Sequence, residues 1–107
     1  MTWRLRRADV SDAEALSLVA GATFLEAYSD FMVRADMLAH LSGKSAPDNF
    51  RRWIANDASI VTLAEAPAGA APLGYTVLTA PDLPITVQDD DIELLRLYTL
   101  ATMWGRI

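Results

Sequence analysis

An α/β fold follows from three features of the sequence: about four strands, as a mixed α+β sheet, with two to three helices packed on it. A capping signature precedes a long run of apolar residues spaced by three and four. Two shorter segments with helical spacing come next. The pattern then switches to β-branched runs of strand length, separated by proline, glycine and acidic residues. Helical periods followed by strand periods in one short chain give helices layered on a sheet.

The elements follow in order. Residues 3–7 (WRLRR) alternate Trp3, Leu5 and Arg7 against Arg4 and Arg6, which reads as a short strand with one apolar face. Ser11 followed three residues later by Glu14 reads as a capping box, in which each side chain satisfies an open backbone donor. Leu16, Val19, Ala20, Thr23, Phe24 and Ala27 then mark an amphipathic helix over about residues 12–28. Tyr28 to Met32 breaks that period and reads as a loop carrying aromatics. A short helix is expected around Asp36–Leu41, ended by Gly43. Ser45-Ala46-Pro47-Asp48 opens another helix, with serine as cap and proline in the first turn. Its apolar stripe is Phe50, Trp53 and Ile54, while Arg51 and Arg52 face water.

Ser59 to Ala64 and Gly74 to Thr79 read as two strands of a hairpin joined by the PAGAAP segment. Residues 80–91 (APDLPITVQDDD) suit no regular element. A last strand covers Ile92 to Leu100 (IELLRLYTL). Ile92, Leu94, Arg96, Tyr98 and Leu100 would share one face, and Glu93, Leu95, Leu97 and Thr99 the other. Both faces are mostly apolar, as in a strand covered on both sides.

Length and composition narrow the class. A chain of 107 residues, 52% hydrophobic and 21% charged, is one globular domain or part of one rather than a disordered chain. There is no cysteine, which excludes disulfides, thiolate catalysis and Cys-ligated metal. The single histidine, His40, excludes a His-rich metal site and reads as a surface or helix-end residue. A net charge of −5 argues against nonspecific binding to nucleic acid or an anionic membrane. No apolar stretch is long enough for a membrane span. The basic start lacks the apolar region of a signal peptide, so a cytoplasmic location is expected. Asp89-Asp90-Asp91 reads as a solvated loop, because three adjacent carboxylates lack the alternating spacing of a calcium loop.

Taken together, LRRADVSDAEAL, TFLEAY, GYTVL and ELLRLYTL resemble the N-terminal part of the GCN5-related N-acetyltransferases. The resemblance covers essentially the whole chain but only the front of that family's fold. It implies acetyl-CoA as a substrate, an amine acceptor of small-molecule or peptide type, and direct acetyl transfer. In that family the strand matching Ile92–Leu100 leads into a glycine-rich pyrophosphate loop. Here Trp104 stands where the family usually has Arg or Gln, and Ile107 where the first motif glycine falls. The chain therefore reads as a single, incomplete acetyltransferase-like domain of residues 1–107. Its alternative is a non-catalytic remnant or interaction subunit, a homo-oligomer or strand-pairing partner joined through residues 92–100.

The resemblance also implies site residues. Leu97, Tyr98 and Thr99 match the strand whose backbone pairs with the acetyl and pantetheine amides. Gly105 and Arg106 match the start of the pyrophosphate loop, and their plainer reading is a frayed terminus. Glu93, on a strand face with Leu95 and Leu97, is the candidate general base; its plainer reading is a carboxylate in solvent. Tyr28 and Phe31 fall on the acceptor side. Phe24 and the pair Phe50–Trp53 read as core. No metal is implied.

Overall fold

The computed structural model describes residues 3–81, 88 and 91–103. Strand β1 (Arg4–Arg7) leads through a 3-10 turn (Val10–Asp12) into helix α1 (Ala13–Tyr28). Helices α2 (Arg34–Ser42) and α3 (Pro47–Ala55) follow, then strands β2 (Ile60–Glu65), β3 (Pro72–Thr79) and β4 (Glu93–Thr99). A 3-10 turn (Ala101–Met103) follows β4. The strands form one sheet in the order β1-β2-β3-β4, each neighbouring pair antiparallel.

The helices and the sheet bury one shared core. Helix α1 contributes Ala13, Leu16, Val19, Ala20 and Thr23, which recur at the spacing expected of one helix face. They meet Val61 and Leu63 of β2 and Tyr75 and Val77 of β3. Phe50 of α3 is fully buried, edge-on to both Trp53 and Tyr75 at 5.4 Å. Arg51 and Arg52 are exposed as expected, and Gly43 ends α2.

Five local expectations are corrected. Strand β1 buries neither face: all four of its residues are exposed, Leu5 by 65%, and it is Arg6, opposite Leu63, that lies on the core side of the sheet. Two buried carboxylates account for this. Arg6 donates to both oxygens of Asp12 at 2.7 and 2.8 Å and to Glu65 Oε1 at 3.0 Å. The capping box also sits earlier than Ser11/Glu14. Asp9 accepts from the Ser11 amide, and Asp12 accepts from the Asp9 amide. Glu14 is exposed. Ser45 does not cap α3; Ala46 is the N-cap, Pro47 follows it, and Ser45 is buried. Phe24 is only partly buried, and Ala27 is exposed.

The fifth correction is β4. It lies at the edge of the described sheet, with Leu94, Leu95 and Leu97 exposed by 54%, 41% and 60%. Its faces do not alternate strictly. Arg96 pairs with Val77 but Leu94 pairs with Leu78, so Leu95 is an extra residue in a bulge. The bulge puts Leu94 and Leu97 on the sheet face away from the helices, and Arg96 and Tyr98 on the helix face.

Candidate functional site

A cleft of about 540 Å³ opens where the C-terminal half of α1 meets the edge of β4. Thr23, Glu26 and Ala27 form its helical wall. Leu97, Tyr98 and Thr99 form its strand wall, and Ala101 closes one end. Glu26 Oε1 accepts the Ala101 amide at 3.0 Å and ties the end of β4 to α1.

The backbone of the strand wall is oriented by the ladder. Leu100 donates to the Leu73 carbonyl at 2.9 Å, so Leu73 and Leu100 form a hydrogen-bonded pair. Antiparallel pairs alternate between bonded and non-bonded. Tyr98–Tyr75 and Arg96–Val77 are therefore the bonded pairs, and Leu97–Thr76 and Thr99–Gly74 are not. Leu97 and Thr99 accordingly turn their N–H and C=O groups away from β3, toward the cleft side. Gly74 lets the strands come this close: a Cβ there would lie 2.7 Å from the Tyr98 carbonyl.

Tyr98 faces the helices. It stacks on Tyr75 with ring centroids 5.9 Å apart. Burial raises the pKa of both phenols, and the Tyr28 hydroxyl next to Tyr98 adds to its shift. Tyr28 also packs against Phe24 at 4.7 Å and edge-on against Phe31 at 5.6 Å. Tyr28 thus reaches the cleft through Tyr98, while Phe31 is 73% exposed on the far side of that chain of rings. Phe24 stacks on His40 at 3.7 Å, which places His40 at the end of α2 against α1.

Glu93 stands apart. It pairs with Thr79 at the other end of β4 and does not line the cleft. Five residue steps of strand, one through the bulge, separate it from Tyr98, at most about 16 Å. Asp91 accepts the Gln88 amide at 2.7 Å in a local turn, while Asp89 and Asp90 lie outside the described residues. So do Trp104, Gly105, Arg106 and Ile107.

The sequence reading missed Arg96. Its guanidinium lies 4.8 Å over the Trp53 ring, donates to the Lys44 carbonyl at 3.0 Å, and approaches the hydroxyls of Tyr75 and Ser45 at 3.4 and 3.5 Å. The one available signal was an arginine inside an otherwise apolar strand. Among the described residues no group of three His, Asp or Glu side chains could hold a metal ion.

No family model and no curated protein sequence matches the chain. Solved structures do. The PaiA N-acetyltransferase of Thermoplasma acidophilum, solved with coenzyme A, aligns with a TM-score of 0.80 at 19% identity, over 99% of this chain and 64% of that one. A GCN5-related N-acetyltransferase of Ralstonia eutropha aligns with a TM-score of 0.70 at 21% identity, over 98% and 67% of the two chains. The fold is that of the GCN5-related N-acetyltransferases. An aminoglycoside acetyltransferase from an uncultured soil sample shares it, with a TM-score of 0.67 at 18% identity. The chain spans about two thirds of the length of these proteins (64%, 67% and 63%).

Proposed function

We propose that this chain belongs to an acetyl-CoA-dependent N-acetyltransferase and that the cleft between α1 and β4 takes the acyl-pantetheine end of the coenzyme. The cleft carries the reading: a strand edge turns the backbone groups of Leu97 and Thr99 toward a space of about 540 Å³. Extended amides pair with such an edge as an added strand would. The acetyltransferase fold, and the coenzyme A bound to one protein that shares it, support the assignment.

In this reading Leu97, Tyr98 and Thr99 hold the acyl arm. Outward N–H groups of β4 polarise the thioester carbonyl as charge develops on its oxygen. Gly105 and Arg106 would meet the pyrophosphate, the guanidinium pairing with phosphate oxygens. Tyr28 and Phe31 border the acceptor. The acceptor arrives as an ammonium and must lose a proton before its nitrogen attacks. Glu93, which lies outside the cleft at the other end of β4, would take that proton only along a chain of several waters. The new C–N bond forms as the C–S bond breaks, and the thiolate leaves with a proton from solvent. The acceptor is an amine, and the cytoplasm is the proposed compartment. Among the described residues no helix is long and apolar enough to cross a membrane.

Thermal unfolding with and without acetyl-CoA tests the binding. Ligand at 100 times its dissociation constant stabilises the folded state by about 2.7 kcal/mol. No stabilisation at millimolar acetyl-CoA removes the proposal. For the base, Glu93→Gln should cut turnover about 10²–10⁴-fold while leaving coenzyme binding unchanged; a fully active variant removes Glu93 from the mechanism.

The exposed leucines of β4 favour a second reading, pairing of this edge with another polypeptide. Under it, acetyl-CoA gives no stabilisation and sedimentation shows association that depends on concentration.

A further inference from the structure

Between the β4 cleft and a second, apolar cleft formed by α1 and α2 lies a small polar pocket of about 30 Å³. Its polar lining is Thr23, His40, Ser45, Tyr75, Arg96 and Tyr98, and Ala20 and Phe24 complete the wall. Thr23, Ser45 and Tyr75 are almost fully buried. The volume is that of one water molecule or one small ion.

The lining is rich in donors. Arg96 Nη2 is occupied by the Lys44 carbonyl, whereas Nη1 approaches both Tyr75 Oη and Ser45 Oγ at the long distances of 3.4 and 3.5 Å. Each hydroxyl oxygen accepts from the guanidinium, which leaves its own proton to donate. No described hydrogen bond takes either proton. The described ion pairs leave Arg96 without a carboxylate. Its charge is met by neutral oxygens and by the faces of Trp53 and Phe50. A charge held partly out of water without a counterion is costly.

We propose that this pocket binds one small monovalent anion: a free halide ion or the carboxylate group of a bound molecule. Arg96, Tyr75 and Ser45 supply the donors, and the ring of Trp53 fixes the guanidinium plane. Burial first, and then the charges of Arg96 and Lys44, lower the proton affinity of His40, so two cations lie near the pocket although the chain carries a net −5. Anion binding here rests on local donors and does not depend on the acyl-transfer reading.

Nuclear magnetic resonance titration of the whole chain tests it, with sodium chloride, sodium acetate and sodium sulfate at equal ionic strength. Sulfate, too large for the pocket, reports general salt effects. Saturable shifts at Ser45, His40 and the Arg96 side chain with chloride alone identify a halide site. Saturable shifts with both chloride and acetate, competing for the same resonances, identify a carboxylate subsite. Shifts that do not saturate, or that match those in sulfate, mean a water-filled pocket and overturn the proposal. Tyr75→Phe keeps the ring and deletes one donor, so it should weaken the response about tenfold or more, the scale of one hydrogen bond to a charged group. Arg96→Met should abolish it, and an unchanged response in that variant also overturns the proposal. If Arg96→Met does not fold, an unweakened response in Tyr75→Phe decides against it.

Discussion

Proline at position 97 separates the outward face of β4 from its role in the sheet. Leu97 and Thr76 form a non-bonded pair, so the Leu97 N–H takes no part in the β3–β4 ladder. Leu97→Pro therefore deletes a donor that points into the cleft and no ladder bond. Proline is tolerated on an edge strand whose N–H faces outward, and the extended backbone it asks of Arg96 is already present in the strand. One neutral hydrogen bond contributes about 0.5–1.5 kcal/mol, which corresponds to about a 2–13-fold loss of affinity for acetyl-CoA. Leu97→Ala controls for the side chain, since it trims the cleft wall and keeps the donor. Tyr98→Pro controls for the ladder, because its N–H lies in a bonded pair with Tyr75. Calorimetric titration with acetyl-CoA, with thermal unfolding followed by circular dichroism, reads all three. Leu97→Pro should melt near the wild type and bind more weakly than Leu97→Ala, whereas Tyr98→Pro should lose the cooperative melt. Equal binding by the proline and alanine variants, or equal melting of the two proline variants, would refute the reasoning.

Arg6 holds both Asp12 and Glu65 below the usual carboxylate range, chiefly by hydrogen bonding to them. Depressed carboxylate pKa values contribute stability that is present above the unfolded values, near 4, and lost as pH falls below them. Arg6→Met leaves buried Asp12 without a cation and buried Glu65 with Arg4 alone, so the variant should be less stable than wild type at pH 7 and recover part of the gap at pH 5. Equal gaps in urea midpoint at the two pH values would sink this account. Gly74→Ala pushes a methyl group against the Tyr98 carbonyl and Thr99 at 2.7–3.1 Å, so it should destabilise by about 1–3 kcal/mol and weaken coenzyme binding by displacing β4. Full wild-type stability in that variant would show that β4 is not held at this distance. Leu94 and Leu97 each leave more than half their side chain in water, worth roughly 1–2 kcal/mol apiece if a neighbouring molecule covered them. The chain should therefore self-associate weakly at high concentration, and Leu97→Lys should reduce it; an unchanged sedimentation profile excludes this strand as the contact.

Element identity was legible from local pattern. The spacing of Leu16, Val19, Ala20 and Thr23 defines one face of α1 whatever that face meets. Pro47 and Gly43 act through their own backbones and so bound α3 and α2 as the sequence implies. The segments Ile60–Glu65 and Pro72–Thr79 were legible as strands from β-branched runs of strand length bounded by proline and glycine. Leu97, Tyr98 and Thr99 were legible as a site only through the resemblance, since a backbone edge makes no demand on side-chain identity.

What a face meets was decided by tertiary structure. The alternation in WRLRR is real, but an alternating strand has two faces, and only the positions of Asp12 and Glu65 put the exposed Arg6 on the core side and Leu5 on the other. The capping box closes the 3-10 turn that runs into α1, so it falls at Asp9 and Asp12 and not at Ser11 and Glu14. The bulge at Leu95 reverses the phase of β4, which no count of apolar residues registers, because residues on both sides of it are leucine. The β4 cleft and the Arg96 pocket exist only where α1, α2 and the sheet converge. Local sequence fixes periods and backbone limits over a few residues, whereas a cleft or a buried charge depends on groups far apart in the chain, such as Lys44, Tyr75 and Arg96.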